Sequence, residues 1–150
     1  MSLPRKFLNR PSSDRLLVLE ALAWLIWARL LVWVVPFRRI ARKLGGHMSE
    51  TSLEDLSVTD DQTALRISWA VEMSAHYFPL SLVCLPQAMS AKWMLRRRRV
   101  PNTLYLGIRS DPKKPGHMLA HAWLRCGPRV LTGRQNLQGY TIISTFGDLP

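Results

Sequence analysis

No glycine-rich phosphate loop occurs anywhere in the chain, so nucleotide chemistry has no cradle here. Cysteine is scarce. Cys84 and Cys126 are the only two, and they form neither a disulfide framework nor the close pairs of a structural zinc site. His117 and His121 with Cys84 and Cys126 are the one zinc set the sequence offers, and the missing cysteine pairs argue against it; no metal and no cofactor are expected. No cleavable signal pattern is recognisable, and with so few cysteines a reducing cytoplasm is the expected compartment. Acidic residues are few, 10 against 21 basic ones, for a formal charge of +11. Such a balance favours solubility and an acidic partner but does not bear on the fold.

The chain also has no uninterrupted apolar run of the ~20 residues that a membrane span needs. Leu16 to Phe37 is the most hydrophobic segment, with Trp24, Trp27 and Trp33, yet Glu20 and Arg29 interrupt it on opposite sides of a helix. A buried or interface helix is therefore expected, and a true span is the least favoured reading. Docking of residues 16–43 on a membrane surface or a partner is the alternative, because Arg38-Arg39-Ile40-Ala41-Arg42-Lys43 suits anionic headgroups as well as solvent.

What is present reads as one α+β chain large enough for a core. Gly45-Gly46 stops the hydrophobic helix. Met48 to Asp61 turns acidic and reads as a linker or surface loop, dividing an N-terminal region, 1–60, from a core, 61–150. Thr63 to Tyr77 predicts a helix capped by Asp60 or Asp61, with Leu65, Trp69 and Met73 near one face, ended by Phe78-Pro79. His76, before the turn into the cysteine helix, reads as a surface histidine, with a place near the site as the alternative. Pro86 suits a first helical turn, so a helix opens near Cys84 and runs to Arg96-Arg97-Arg98-Arg99. Strands follow at Thr103–Arg109, Met118–Arg125, Arg129–Thr132 and Tyr140–Phe146, in the order of an antiparallel meander.

Two positions carry chemistry. Cys84 lies at a helix N-terminus, where the partial positive charge and unpaired N–H groups favour a thiolate. His121 lies on a strand whose alternation groups Leu119, His121, Trp123 and Arg125 on one face. A cysteine opening a helix and a histidine on a later strand can form a nucleophile and its general base. The plainer readings are a small buried thiol and a packed core histidine. The arginine run could meet phosphates or an acidic partner, or simply answer the helix macrodipole.

Together the motifs go further than spacing. Cys84-Leu85-Pro86 with Ala88, Leu95-Arg96-Arg97-Arg98, Leu106-Gly107-Ile108-Arg109 and Ala120-His121-Ala122-Trp123 resemble, in order, the stand-alone leader peptidase of lasso-peptide biosynthesis, over about residues 66 to 146. The resemblance implies a transglutaminase-like, papain-like core, a hydrophobic helix before it, Cys84 as nucleophile and His121 as base. It implies a cysteine peptidase that removes the leader of a ribosomally made precursor. It further implies two partners: a separate leader-recognition protein, since no winged-helix-like pattern precedes the core, and an ATP-dependent cyclase. Many relatives place an orienting Asp on the strand after the histidine, where this chain has Gly133; Asn136, Asp148 or a backbone carbonyl are left for that role. The alternatives are a catalytically inactive scaffold that presents the precursor to the cyclase, and a basic module for nucleic acid or a membrane surface.

Overall fold

The computed structural model describes residues 7–77, 84–135 and 137–149. The chain forms α1 (Ser12–Val34), α2 (Phe37–Ala41), β1 (Gly46–His47), α3 (Val58–Tyr77), α4 (Cys84–Arg97), β2 (Asn102–Ser110), β3 (Met118–Cys126), β4 (Arg129–Thr132) and β5 (Thr141–Asp148). Helices gather on one face of a single antiparallel sheet ordered β1-β5-β2-β3-β4. This is the expected α+β class, with the apolar helix in front.

The helical layer is built around α4. Its Ala88, Met89, Ser90, Ala91, Lys92, Trp93, Met94 and Leu95 are all buried, as befits a helix that has α1 and α3 on one side and the sheet on the other. Small residues at 88, 90 and 91 let these layers approach closely. The sheet presents Leu104, Ala122, Leu124, Leu131 and Phe146 to the same core. On α1, Leu17, Val18, Ala21, Leu25 and Ala28 form the buried stripe, spaced for one helix face. Glu20, which interrupts the apolar run in the sequence, binds Arg97 at the end of α4 and Arg98 just past it, at 3.0 and 2.7 Å. Those guanidiniums hold its carboxyl below the usual range, Arg98 foremost through its hydrogen bond.

Several sequence expectations are corrected. The segment read as a linker or surface loop is a mostly exposed loop tied to the other face of the sheet: the buried Thr51 bonds Thr103, and Arg125 donates to the carbonyls of Thr51 and Ser52. β1 pairs with β5, so the sheet includes one short strand from before residue 60. The helix predicted from Thr63 begins at Val58, and Ser57, not Asp60 or Asp61, caps it, its hydroxyl accepting the Asp60 N–H at 3.1 Å. Its buried face is Ala64, Ile67, Ser68, Ala70, Val71 and Ser74, displaced from Leu65, Trp69 and Met73, since small residues fit against α1 where large ones would hold the helices apart. The Phe78-Pro79 stop lies outside the described residues. The meander holds through β4 and then fails, for β5 returns to pair with β2. The four-residue β4 offers a short ladder, whereas β2 offers a nine-residue edge.

The arginine run is largely internal wiring. Arg96 grips Asp148 with two hydrogen bonds of 2.9 Å and donates to the Lys43 carbonyl, while Arg97 and Arg98 hold Glu20. Three of the four cations are thus spent on the protein itself, so the arginine run is not the phosphate patch that a nucleic-acid reading would draw from it.

Candidate active site

Cys84 and His121 line one open cleft of about 660 Å³, together with Trp69, Met73, Gln87 and Gly133. The floor follows from strand lengths. β4 pairs with only Leu124 to Cys126 of β3, so the β3 backbone beyond Leu124 emerges from the ladder on that edge. There the Ala122 N–H donates to Cys84 Sγ at 3.4 Å. The thiol, half-buried at the first residue of α4, thereby touches the residue that follows the histidine.

His121 is fixed by the chain that leaves β4. Gly133 takes φ +71°, a conformation that L side chains rarely adopt, and its carbonyl meets His121 Nε2 at 2.8 Å. A carbonyl only accepts, so Nε2 carries the proton and Nδ1 is the ring's basic nitrogen. A Cβ at Gly133 would lie 2.5 Å from the Ala122 carbonyl and 2.9 Å from Trp123 Cβ. Glycine is required both for the turn and for the approach to β3.

Aromatic packing braces the ring from its sides. His121 sits 5.8 Å from Trp123 and 5.2 Å from Tyr140, and Trp123 stacks on Tyr105 with an interplanar angle of 5°. Gly107, opposite His121 in the β2–β3 register, makes room for this: a Cβ there would meet the Trp123 ring at 3.0 Å and Tyr140 at 3.2 Å. Arg109 lies over the Tyr140 ring at 4.7 Å. The Leu-Gly-Ile-Arg motif therefore acts through Tyr140, a residue the sequence reading took only as the start of a strand; the glycine inside a strand, a sign of close approach, is the signal that points to it.

Of the two side chains considered as orienters of the histidine, Asn136 lies outside the described residues. Asp148 is a correction. It pairs with Asn102 at one end of β2, whereas His121 faces Gly107, five residues and about 16 Å along the strand. It is committed there to Lys92 at 3.2 Å and Arg96 at 2.9 Å. His76 is exposed and also lines the cleft, edge-on to Tyr77 at 4.6 Å. Glu72 of α3 and Arg134 form an ion pair across the cleft wall. Among the described residues no three His, Cys, Asp or Glu gather to hold a metal ion; Cys126 is fully buried and its thiol pushed up to about 12 by burial.

In comparison with known proteins, residues 31–145 match the family model described as the transglutaminase-like superfamily. No curated protein and no solved structure matches.

Proposed function

The chain belongs to the transglutaminase-like superfamily, and from that premise we propose that it is a cysteine peptidase that removes the leader from a ribosomally synthesised lasso-peptide precursor. Cys84 is the nucleophile and His121 the base. Nδ1 of His121 accepts the thiol proton, and the thiolate adds to the scissile carbonyl carbon. Backbone N–H groups at the start of α4 stabilise the resulting oxyanion. The imidazolium returns its proton to the departing amine, leaving an acyl-enzyme. His121 then takes a proton from water as the hydroxyl attacks, and the thiol is released with the leader's new carboxylate.

The observation that carries this reading is the shared cleft of Cys84 and His121, with the Ala122 N–H on the sulfur and the Gly133 carbonyl on the imidazole. The Ala122 N–H holds the sulfur at the first residue of α4, on the cleft that the scissile carbonyl would enter. The substrate class rests on the likeness of the Cys84-Leu85-Pro86, Leu106-Gly107-Ile108-Arg109 and Ala120-His121-Ala122-Trp123 motifs to the lasso leader peptidases. By the same likeness its partners are a separate leader-recognition protein and an ATP-dependent cyclase that closes the ring on the freed amine.

Mass spectrometry of a leader-bearing precursor incubated with the protein, with and without the recognition partner, tests the reading. Wild type is expected to release leader and core, and Cys84→Ala and His121→Ala to leave the precursor whole. An intact precursor in the presence of every partner and folded wild-type protein would overturn it.

A further inference from the structure

The helix that packs Leu17, Val18, Ala21, Leu25 and Ala28 inward is also apolar outward. Leu16, Leu19, Ile26, Leu30 and Trp33 recur at heptad spacing along its outer side, and all are exposed, Trp33 by 78%. Trp27 and Val34 widen the stripe, which runs about 27 Å. Scattered exposed hydrophobes need no explanation, but a continuous stripe of this length does. α1 is long and apolar enough to cross a membrane by length and composition. Its inner face, however, is part of the protein core, so crossing would strip α3 and α4 of their cover.

Beside the stripe, Trp24, Trp27, Leu31, Val35, Ile40 and Trp93 wall a groove of about 580 Å³ that is almost wholly apolar. Arg96 and Arg97 complete its lining, as do Arg39 and Lys43. Arg39 and Lys43 form with Arg38 and Arg42 a basic cluster just past the C-terminal end of α1, and among the described residues none of the four has an acidic partner. This contrasts with Arg96, Arg97 and Arg98, which are all paired.

We propose that this face is a docking surface for an anionic phospholipid bilayer, with the α1 stripe laid in the headgroup boundary, acyl chain in the Trp24–Trp93 groove and lipid phosphate against Arg38, Arg39, Arg42 and Lys43. The charge complementarity is direct: unpaired cations flank apolar surface on a chain of formal charge +11, and interfacial helices combine these features. Tryptophan at the rim suits the boundary between apolar and wet layers. An extended peptide in the groove would need acceptors for its own N–H groups, and the polar side chains of the lining, Arg39, Lys43, Arg96 and Arg97, can only donate, whereas an acyl chain needs none. A second copy of the chain brings a second large positive charge to the same face and is disfavoured by it. The inference is independent of the peptidase reading, because none of these residues lines the Cys84 cleft.

Sedimentation of the full chain with vesicles tests it. One set is phosphatidylcholine alone, and in the other part of it is replaced by phosphatidylglycerol. The expected result is binding to the anionic vesicles only, loss of binding at high salt, and a blue shift of tryptophan fluorescence on binding. Arg39→Gln/Lys43→Gln should weaken binding about fivefold per charge, on the order of 25-fold for the pair. Trp27→Ser/Trp33→Ser should abolish the blue shift while circular dichroism stays that of wild type. Failure of folded wild type to sediment with anionic vesicles overturns the proposal, as does equal binding to both vesicle types. Light scattering that gives a dimer without lipid, broken by Trp27→Ser/Trp33→Ser, overturns it in favour of a second copy. Wild-type rates of precursor cleavage in these variants would leave the peptidase untouched, so the two readings fail separately.

Discussion

The imidazole of His121 takes its orientation from a backbone carbonyl, where a carboxylate is the commoner partner. Gly133 supplies it because φ +71° turns the chain at the end of β4 and because nothing larger than hydrogen fits beside the Ala122 carbonyl. Gly133→Ala should therefore do two things. The left-handed backbone and the 2.5 Å approach together should lower stability by about 1–3 kcal/mol, read as a shift in the urea midpoint. Displacement of the carbonyl should lower kcat on the order of 100-fold, the scale of a 1 Å misplacement. Gly116→Ala is the control: its φ of +83° imposes similar strain, nothing lies within 4 Å, and the rate should hold. An NMR resonance for a hydrogen-bonded Nε2–H, present in wild type and lost in Gly133→Ala, would mark a positioning role as distinct from a merely structural one.

At the scale of elements, α4 is the member that the others grip, and its C-terminal arginines are the handles. Glu20→Gln would release Arg97 and Arg98 from α1. Because these pairs sit near the surface the expected loss is below about 1 kcal/mol, shrinking as salt is added and as pH falls through the lowered pKa of Glu20; thermal melts at two ionic strengths measure it. That tie also marks the limit of the sequence. The cysteine helix and the histidine strand were legible because helix entry at Pro86 and the alternation from Leu119 to Arg125 are local signals. Asp148 and the arginine run were not, since a charge's partner is chosen by tertiary packing, across 52 residues of chain for Arg96 and 77 for Arg97. The return of β5 to β2 is a choice between edges, which periodicity cannot express. The sequence does point to the Gly133 position, as the place of a missing Asp, and leaves a backbone carbonyl as one candidate for the role, but which carbonyl it is has no letter of its own.

The whole molecule is closed by a buried cation between the helical layer and the sheet. Lys92 is fully buried, and its Nζ donates to Asn102 Oδ1 and the Phe146 carbonyl at 2.9 Å each while pairing with Asp148. Burial lowers its pKa to about 8, against the pull of Asp148. Cys126 lies in the same core with its thiol raised to about 12. The two groups push stability in opposite directions as pH rises. From about 8 upward the folded protein has released the Lys92 proton while the unfolded chain holds it up to 10.5, so stability rises with pH. Above 9.0 the unfolded thiol ionises while the folded one keeps its proton to about 12, so stability falls from that source. Urea midpoints of wild type should climb between pH 8 and 9 and then level off. In Cys126→Ala the climb should continue toward 10.5, and in Lys92→Met it should vanish, leaving only the descent above pH 9. A wild-type profile flat from 8 to 9, in a protein that stays folded throughout, would mean that Asp148 keeps Lys92 charged in the folded state.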